Sequence, residues 1–167
     1  LKLLYTLQKR NSFYHCKFFF GVRYLILYLT GEFLLVLLMG KLFSFTEPFP
    51  VQEGLLYVLT SLVTGMIVLS IQQTASLLSD NQIFPLALGL AGSFLGLFSM
   101  FFPKAVSLLV VWSYFAMFTP IGMNWDPQTR IIEYYAIPFP TLHFLLFCLM
   151  GILLYFAGKY LFSRKEV

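Results

Sequence analysis

The stretch Ile83 to Met123, IFPLALGLAGSFLGLFSMFFPKAVSLLVVWSYFAMFTPIGM, limits what this chain can fold into more than any other. It is almost wholly apolar, with Lys104 as its only charge. Gly89, Gly92, Ser93 and Gly96 place small residues at three- and four-residue spacing, which on a helix makes a face where a neighbour can pack closely. Pro103 and Pro120 interrupt the second half, so the stretch cannot be one straight helix and has to turn near Phe102 to Lys104.

Composition makes this a membrane problem. Of the 167 residues, 59% are hydrophobic and 11% charged. A water-soluble domain of this size could not hide so much apolar surface. Several runs reach the roughly 20 residues that a bilayer core requires. The formal net charge of +4 would suit nucleic acid if the basic residues formed a face. Instead Lys2, Lys9, Arg10, Lys17 and Arg23 lie near one terminus and Lys159, Arg164 and Lys165 near the other, which is the pattern of membrane orientation. Cys16 and Cys148 sit in a basic segment and an apolar run, imply no disulfide, and read as small packing residues.

The chain therefore reads as an all-α, polytopic helical membrane protein in a single transmembrane domain over residues 1–167. Residues 1–20 form a cytoplasmic juxtamembrane segment, interfacial and partly amphipathic or simply a basic loop. They lack the short apolar core and small-residue cleavage site of a signal peptide, and read as the interior of a longer chain. Spans are expected at 22–40, 54–78, 83–102 and 141–162. Glu32 lies within the first, where a carboxylate must face other helices or a water-filled cavity and find a partner. Its role is either contact with a substrate or a hydrogen bond to a neighbouring helix. Glu47, Pro48, Pro50 and Glu53 mark the following turn. The second span carries Thr60, Ser61, Thr64, Ser70, Gln72, Gln73 and Thr74, too polar a set to face lipid. Asn124 to Pro140 reads as a polar and aromatic interfacial loop.

Five apolar runs with basic residues at both chain ends set a parity constraint. The positive-inside rule places both ends in the cytoplasm, so one run must enter and leave by the same face. The run 105–123, bracketed by Pro103 and Pro120, is the best candidate for a re-entrant element, with Trp112, Tyr114 and Trp125 suited to an interface. The architecture is then four full spans plus one re-entrant helical element.

Signatures of chemistry are lacking. No G-x-x-x-x-G-K-[ST] phosphate loop is present, so ATP-driven work would belong to another chain. His15 and His143 lie near opposite ends without metal- or haem-ligand spacing. The glycines of GLAGSFLG do not form a dinucleotide fingerprint. The sequence points away from an enzyme, and no metal or cofactor is expected on this chain.

The order of parts in LQKRNSFYHCKFF, two spans, NQIFPLALGLAGSFLGLFSMFFPKAV, WSYFAMFTPIGMNW and the basic tail FSRKEV resembles the C-terminal two-thirds of an ABC-2 type permease. More narrowly, it is similar to the permease subunits of lantibiotic immunity transporters of Gram-positive bacteria. The resemblance implies a six-span parent with a re-entrant element between its last two spans, this chain beginning in the cytoplasmic loop after the second span. It implies a multi-pass protein of the cell membrane with both ends cytoplasmic. The implied partners are an ABC ATPase carrying ATP and Mg, a second permease subunit, the same or different, and a peptide substrate. The implied task is removal of a lantibiotic or another cationic antimicrobial peptide. On that reading Glu32, Glu47, Glu53, Trp125, Asp126 and Glu133 are the residues expected to influence the substrate. The rival class is a structural or assembly subunit that scaffolds a membrane complex and moves nothing; a channel or secondary carrier is weaker, as no ladder of intramembrane charges or inverted repeat is present.

Overall fold

The computed structural model describes residues 10–44, 49–128 and 130–165. Its helices are α1 (Arg10–Leu42), α2 (Val51–Leu78), α3 (Ile83–Leu97) and α6 (Thr141–Arg164). With a 3-10 turn, Phe98–Phe101, extending α3, all four are long and apolar enough to cross a membrane. Between α3 and α6 come two short helices, α4 (Lys104–Ser107) and α5 (Tyr114–Met117), and two strands, β1 (Ile121–Trp125) and β2 (Ile132–Ala136).

Helix α2 is the hub, since α1, α3, α5 and α6 all pack on it. Its polar residues face inward: Thr60, Ser61, Thr64, Ser70 and Gln73 are buried. Gln73 Nε2 donates to the Tyr14 carbonyl of α1 at 2.8 Å, and the Tyr14 and Thr74 hydroxyls are 3.1 Å apart. Gln72, with its amide turned to suit its neighbours, donates to the Pro85 carbonyl and accepts from Gly89 N–H of α3, each at 2.9 Å. Hydroxyls and amides thus join helices, as the polarity of this span requires. Thr64 Oγ1, Ser70 Oγ and Gln73 Oε1 are buried without a hydrogen-bond partner among the described residues.

Contacts at each end order the bundle. The start of α1 meets the end of α6 through Phe13 and Phe162, whose ring centroids are 6.3 Å apart, and His15 Nδ1 hydrogen-bonds the Tyr155 hydroxyl. Lys165, following α6, donates to the Leu78 carbonyl at the end of α2 (3.1 Å) and to Asp80 (2.8 Å). The start of α1 and the ends of α2 and α6 therefore share one end, and with them the start of α3. Arg10, Lys17, Lys159, Arg164 and Lys165 are there too, and it is called the basic end below.

The connection from α3 to α6 consequently starts and finishes at the opposite end, but it folds back into the bundle. Pro103 forces Phe102 into extended backbone (φ −84°, ψ 151°) and ends the helical run. Trp112 then lies against Gly92 and Gly96 of α3, where any side chain would collide with it. Tyr114 stacks on Phe147 of α6, with centroids 4.0 Å apart and planes 15° from parallel. Phe118, 1% exposed, completes that core with Ile67. Broken backbone in apolar surroundings has to find partners, and local hydroxyls supply several. Ser107 Oγ donates to the Ser99 carbonyl (3.0 Å), Ser113 Oγ to the carbonyls of Ser107 and Val110, and the Tyr114 hydroxyl to the Leu108 carbonyl (3.0 Å).

These elements revise several sequence expectations. The first helix is described from Arg10, so the segment expected at 1–20 is helical wherever it is described, while 1–9 lie outside the described residues. At about 1.5 Å per residue its 33 residues run some 50 Å, longer than a hydrocarbon core of roughly 30 Å requires. Of the residues expected on the packing face, Gly89 lies against Gln72 and Gly92 and Gly96 lie against Trp112, while Ser93 is exposed and donates back to the Gly89 carbonyl at 2.9 Å. Trp112 and Tyr114 pack inside the bundle instead of lying at an interface. The expectation of an all-α fold gives way at 121–136 to an antiparallel hairpin with Ile121 opposite Ala136 and Trp125 opposite Ile132. The helical element expected at 105–123 stops before it.

Candidate functional site

Opposite the basic end, α1 and α2 diverge around a half-open cleft of about 330 Å³. Its walls are mostly apolar and carry two carboxylates, Glu32 from α1 and Glu53 from the first turn of α2, with the hydroxyls of Tyr57 and Thr119. The Tyr57 hydroxyl donates to Glu32 Oε1 at 3.1 Å. Tyr57 follows Glu53 by four residues, which puts both on one face of α2.

Phe33 and Phe49 meet edge to face, centroids 5.6 Å apart. Gly54 lets them do so, because a Cβ there would lie 2.8 Å from the Phe49 ring. Thr119, Pro120 and Ile121 close the third side, so the folded-back segment contributes to the wall. Two carboxylates within an apolar, aromatic lining suit a ligand that is both cationic and apolar: charge selects sign, and the rings offer cation–π contact.

The expected site residues do not form one cluster. Glu32 and Glu53 share the cleft. Glu47 lies outside the described residues. Trp125, Asp126 and Glu133 are on the hairpin, which leaves the cleft rim at Ile121. Four residues of extended chain carry Trp125 about 13 Å farther along the strand, and Glu133 lies opposite Asn124. Asp126 shapes the turn, its N–H bonded to the Ile131 carbonyl (3.1 Å) and its carboxylate accepting from Gln128 N–H (2.9 Å).

Tyr57, Phe33 and Phe49 were not anticipated as site residues. The i, i+4 relation of Glu53 and Tyr57 was the available signal; nothing in the sequence links Phe33 to Phe49. Among the described residues no group of three His, Cys, Asp or Glu side chains is gathered as a metal site would require.

The four long apolar helices define the class: a helical, membrane-embedded protein. No protein family, curated protein or solved structure matches the chain.

Proposed function

We propose that this chain is the membrane-spanning part of a permease subunit in an ATP-binding-cassette exporter that clears a lantibiotic or another cationic antimicrobial peptide from the membrane. The observation that carries the reading is the cleft: Glu32 and Glu53 in apolar and aromatic walls, at the end opposite Arg10, Lys17, Lys159, Arg164 and Lys165. With the basic end in the cytoplasm, as the positive-inside rule favours, the cleft opens toward the outer leaflet, where an amphipathic cationic peptide first accumulates. Residues 105–123 are then the re-entrant element. The sequence resemblance to ABC-2 permeases supports the same assignment, and ATP hydrolysis belongs to a separate subunit.

The test uses the complete subunit with its companion ATPase. Glu32→Gln and Glu53→Gln keep the shape of each side chain and remove its charge. Each is expected to weaken peptide clearance by roughly five-fold, the scale of a half-exposed ion pair of about 1 kcal/mol, while the ATPase still co-purifies. Wild-type clearance by the double variant would overturn the role of the cleft. Native complexes that contain this chain and no ATPase would instead fit a scaffolding subunit.

A further inference from the structure

The hairpin β1–β2 has two chemically different faces. Strand alternation and the observed register put Ile121, Met123 and Trp125 on the same side as Ile132, Tyr134 and Ala136. Gly122, Asn124, Glu133 and Tyr135 occupy the other side. The apolar side is bare: Met123 is 57% exposed, Trp125 50% and Tyr134 71%.

Two requirements restrict what can cover that side. Apolar surface of this kind favours removal from water. Yet among the described residues the hairpin is a sheet of two strands, so the outward backbone groups of each strand have no ladder partner there and cannot enter hydrocarbon without a high cost. The membrane–water interface meets both needs, with acyl chains beneath the apolar side and water or headgroups along the edges. Trp125 and Tyr134 are the residue types enriched at that depth. Its connections, Pro120 on the cleft wall and Pro140 at the start of α6, put the hairpin at the end of the bundle opposite the basic end.

We infer that this hairpin is an interfacial anchor, lying with its Met123–Trp125–Tyr134 side in the lipid of the leaflet opposite the basic end and its Asn124–Glu133 side toward water. Its charged residues are Arg130 against Asp126 and Glu133. Apolar and aromatic contact therefore drives the docking, with little dependence on anionic lipid. The cleft rim at Ile121 is thereby fixed at the depth of the lipid surface.

The chain holds only two tryptophans, and Trp112 is packed on α3, so Trp112→Phe leaves Trp125 as a reporter. The full chain is reconstituted in phosphatidylcholine vesicles with and without phosphatidylglycerol, and its fluorescence is quenched by lipids spin-labelled at shallow or deep positions and by aqueous iodide. Strong quenching by the shallow label, weaker quenching by the deep one, and little change with phosphatidylglycerol are expected. Tyr134→Lys should reduce shallow quenching and shift emission to the red; Asn124→Lys should not. Quenching by iodide alone places the hairpin in water, and protection from every quencher means that protein, such as a second copy, covers it. Quenching mainly by the deep label means insertion. Each of these three results overturns the inference. If Trp112→Phe does not fold, the difference between wild type and Trp125→Phe isolates the same signal.

Discussion

Gly158 shows how closely the helices of the basic end approach one another. It is buried in α6, and a Cβ built on it would collide with Thr74 Oγ1 of α2 and lie 2.6 Å from the Tyr14 hydroxyl of α1. Those two hydroxyls are bonded to each other, and Tyr14 is fully buried, so neither can yield without leaving a polar atom unpaired. Gly158→Val should therefore cost about 1–3 kcal/mol, as overpacking typically does, and lower the thermal unfolding midpoint in detergent. Gly31 is the control, because nothing stands within 4 Å of a Cβ there. Gly31→Ala should leave the midpoint unchanged or raise it slightly, alanine being the better helix former. Equal effects of the two substitutions would mean that helix propensity, and not the junction, sets the response. The sequence marked Gly89, Gly92, Ser93 and Gly96 as a packing face through their spacing. It gave no comparable sign for Gly158, whose role depends on Tyr14 and Thr74 reaching it from other helices.

Whole elements were legible where one physical signal dominated. Hydropathy located the four long helices to within a few residues except at the start of α1, where basic residues masked a helix continuing beyond the apolar run. Pro103 disclosed the break because its effect is local. The hairpin also had a local signal: Ile121, Met123 and Trp125 alternate with Gly122 and Asn124, and Asp126-Pro127 supplies turn residues. That period of two was hidden because Ile121 to Met123 closes a long apolar run and was assigned to it. The link between α2 and α6 was beyond the sequence, since Asp80 and Lys165 are 85 positions apart. The Lys165 ammonium holds the Asp80 carboxyl below the ordinary aspartate range, first through its hydrogen bond and then through its charge. A lowered folded-state pKa means that stabilisation is present above the ordinary aspartate pKa and disappears as pH falls through the lowered value. Asp80→Asn should thus unfold slightly earlier than wild type at neutral pH, and the gap should close in acid below that range. The effect is small, because Asp80 is exposed. A gap that persisted unchanged in acid would mean that something other than the Asp80 charge, such as the conformation of the turn, sets the difference.

At the scale of the molecule, the number of crossings decides how the cleft and hairpin relate to the membrane. α3 runs from the basic end, α6 returns to it, and the intervening connection has both of its own ends on the far side, so four crossings with a re-entrant 105–123 put Lys104 and Asn124 in the same compartment. Five crossings would put them in opposite ones. Lys104, Asn124 and Gln82 are exposed, which makes each a usable label position in a Cys16→Ser, Cys148→Ser background. A membrane-impermeant maleimide added to intact cells should modify Lys104→Cys and Asn124→Cys and leave Gln82→Cys untouched until the membrane is permeabilised. Modification of only one of the first two would mean that the broken segment crosses, despite the packing of Trp112 on α3 and Tyr114 on α6. Modification of Gln82→Cys alone would keep four crossings but reverse the orientation, sending the cleft toward the cytoplasm. Outer-leaflet clearance through Glu32 and Glu53 would then be untenable, whereas the hairpin would still meet lipid, on the inner leaflet. The labelling pattern therefore separates the fate of the cleft from that of the anchor.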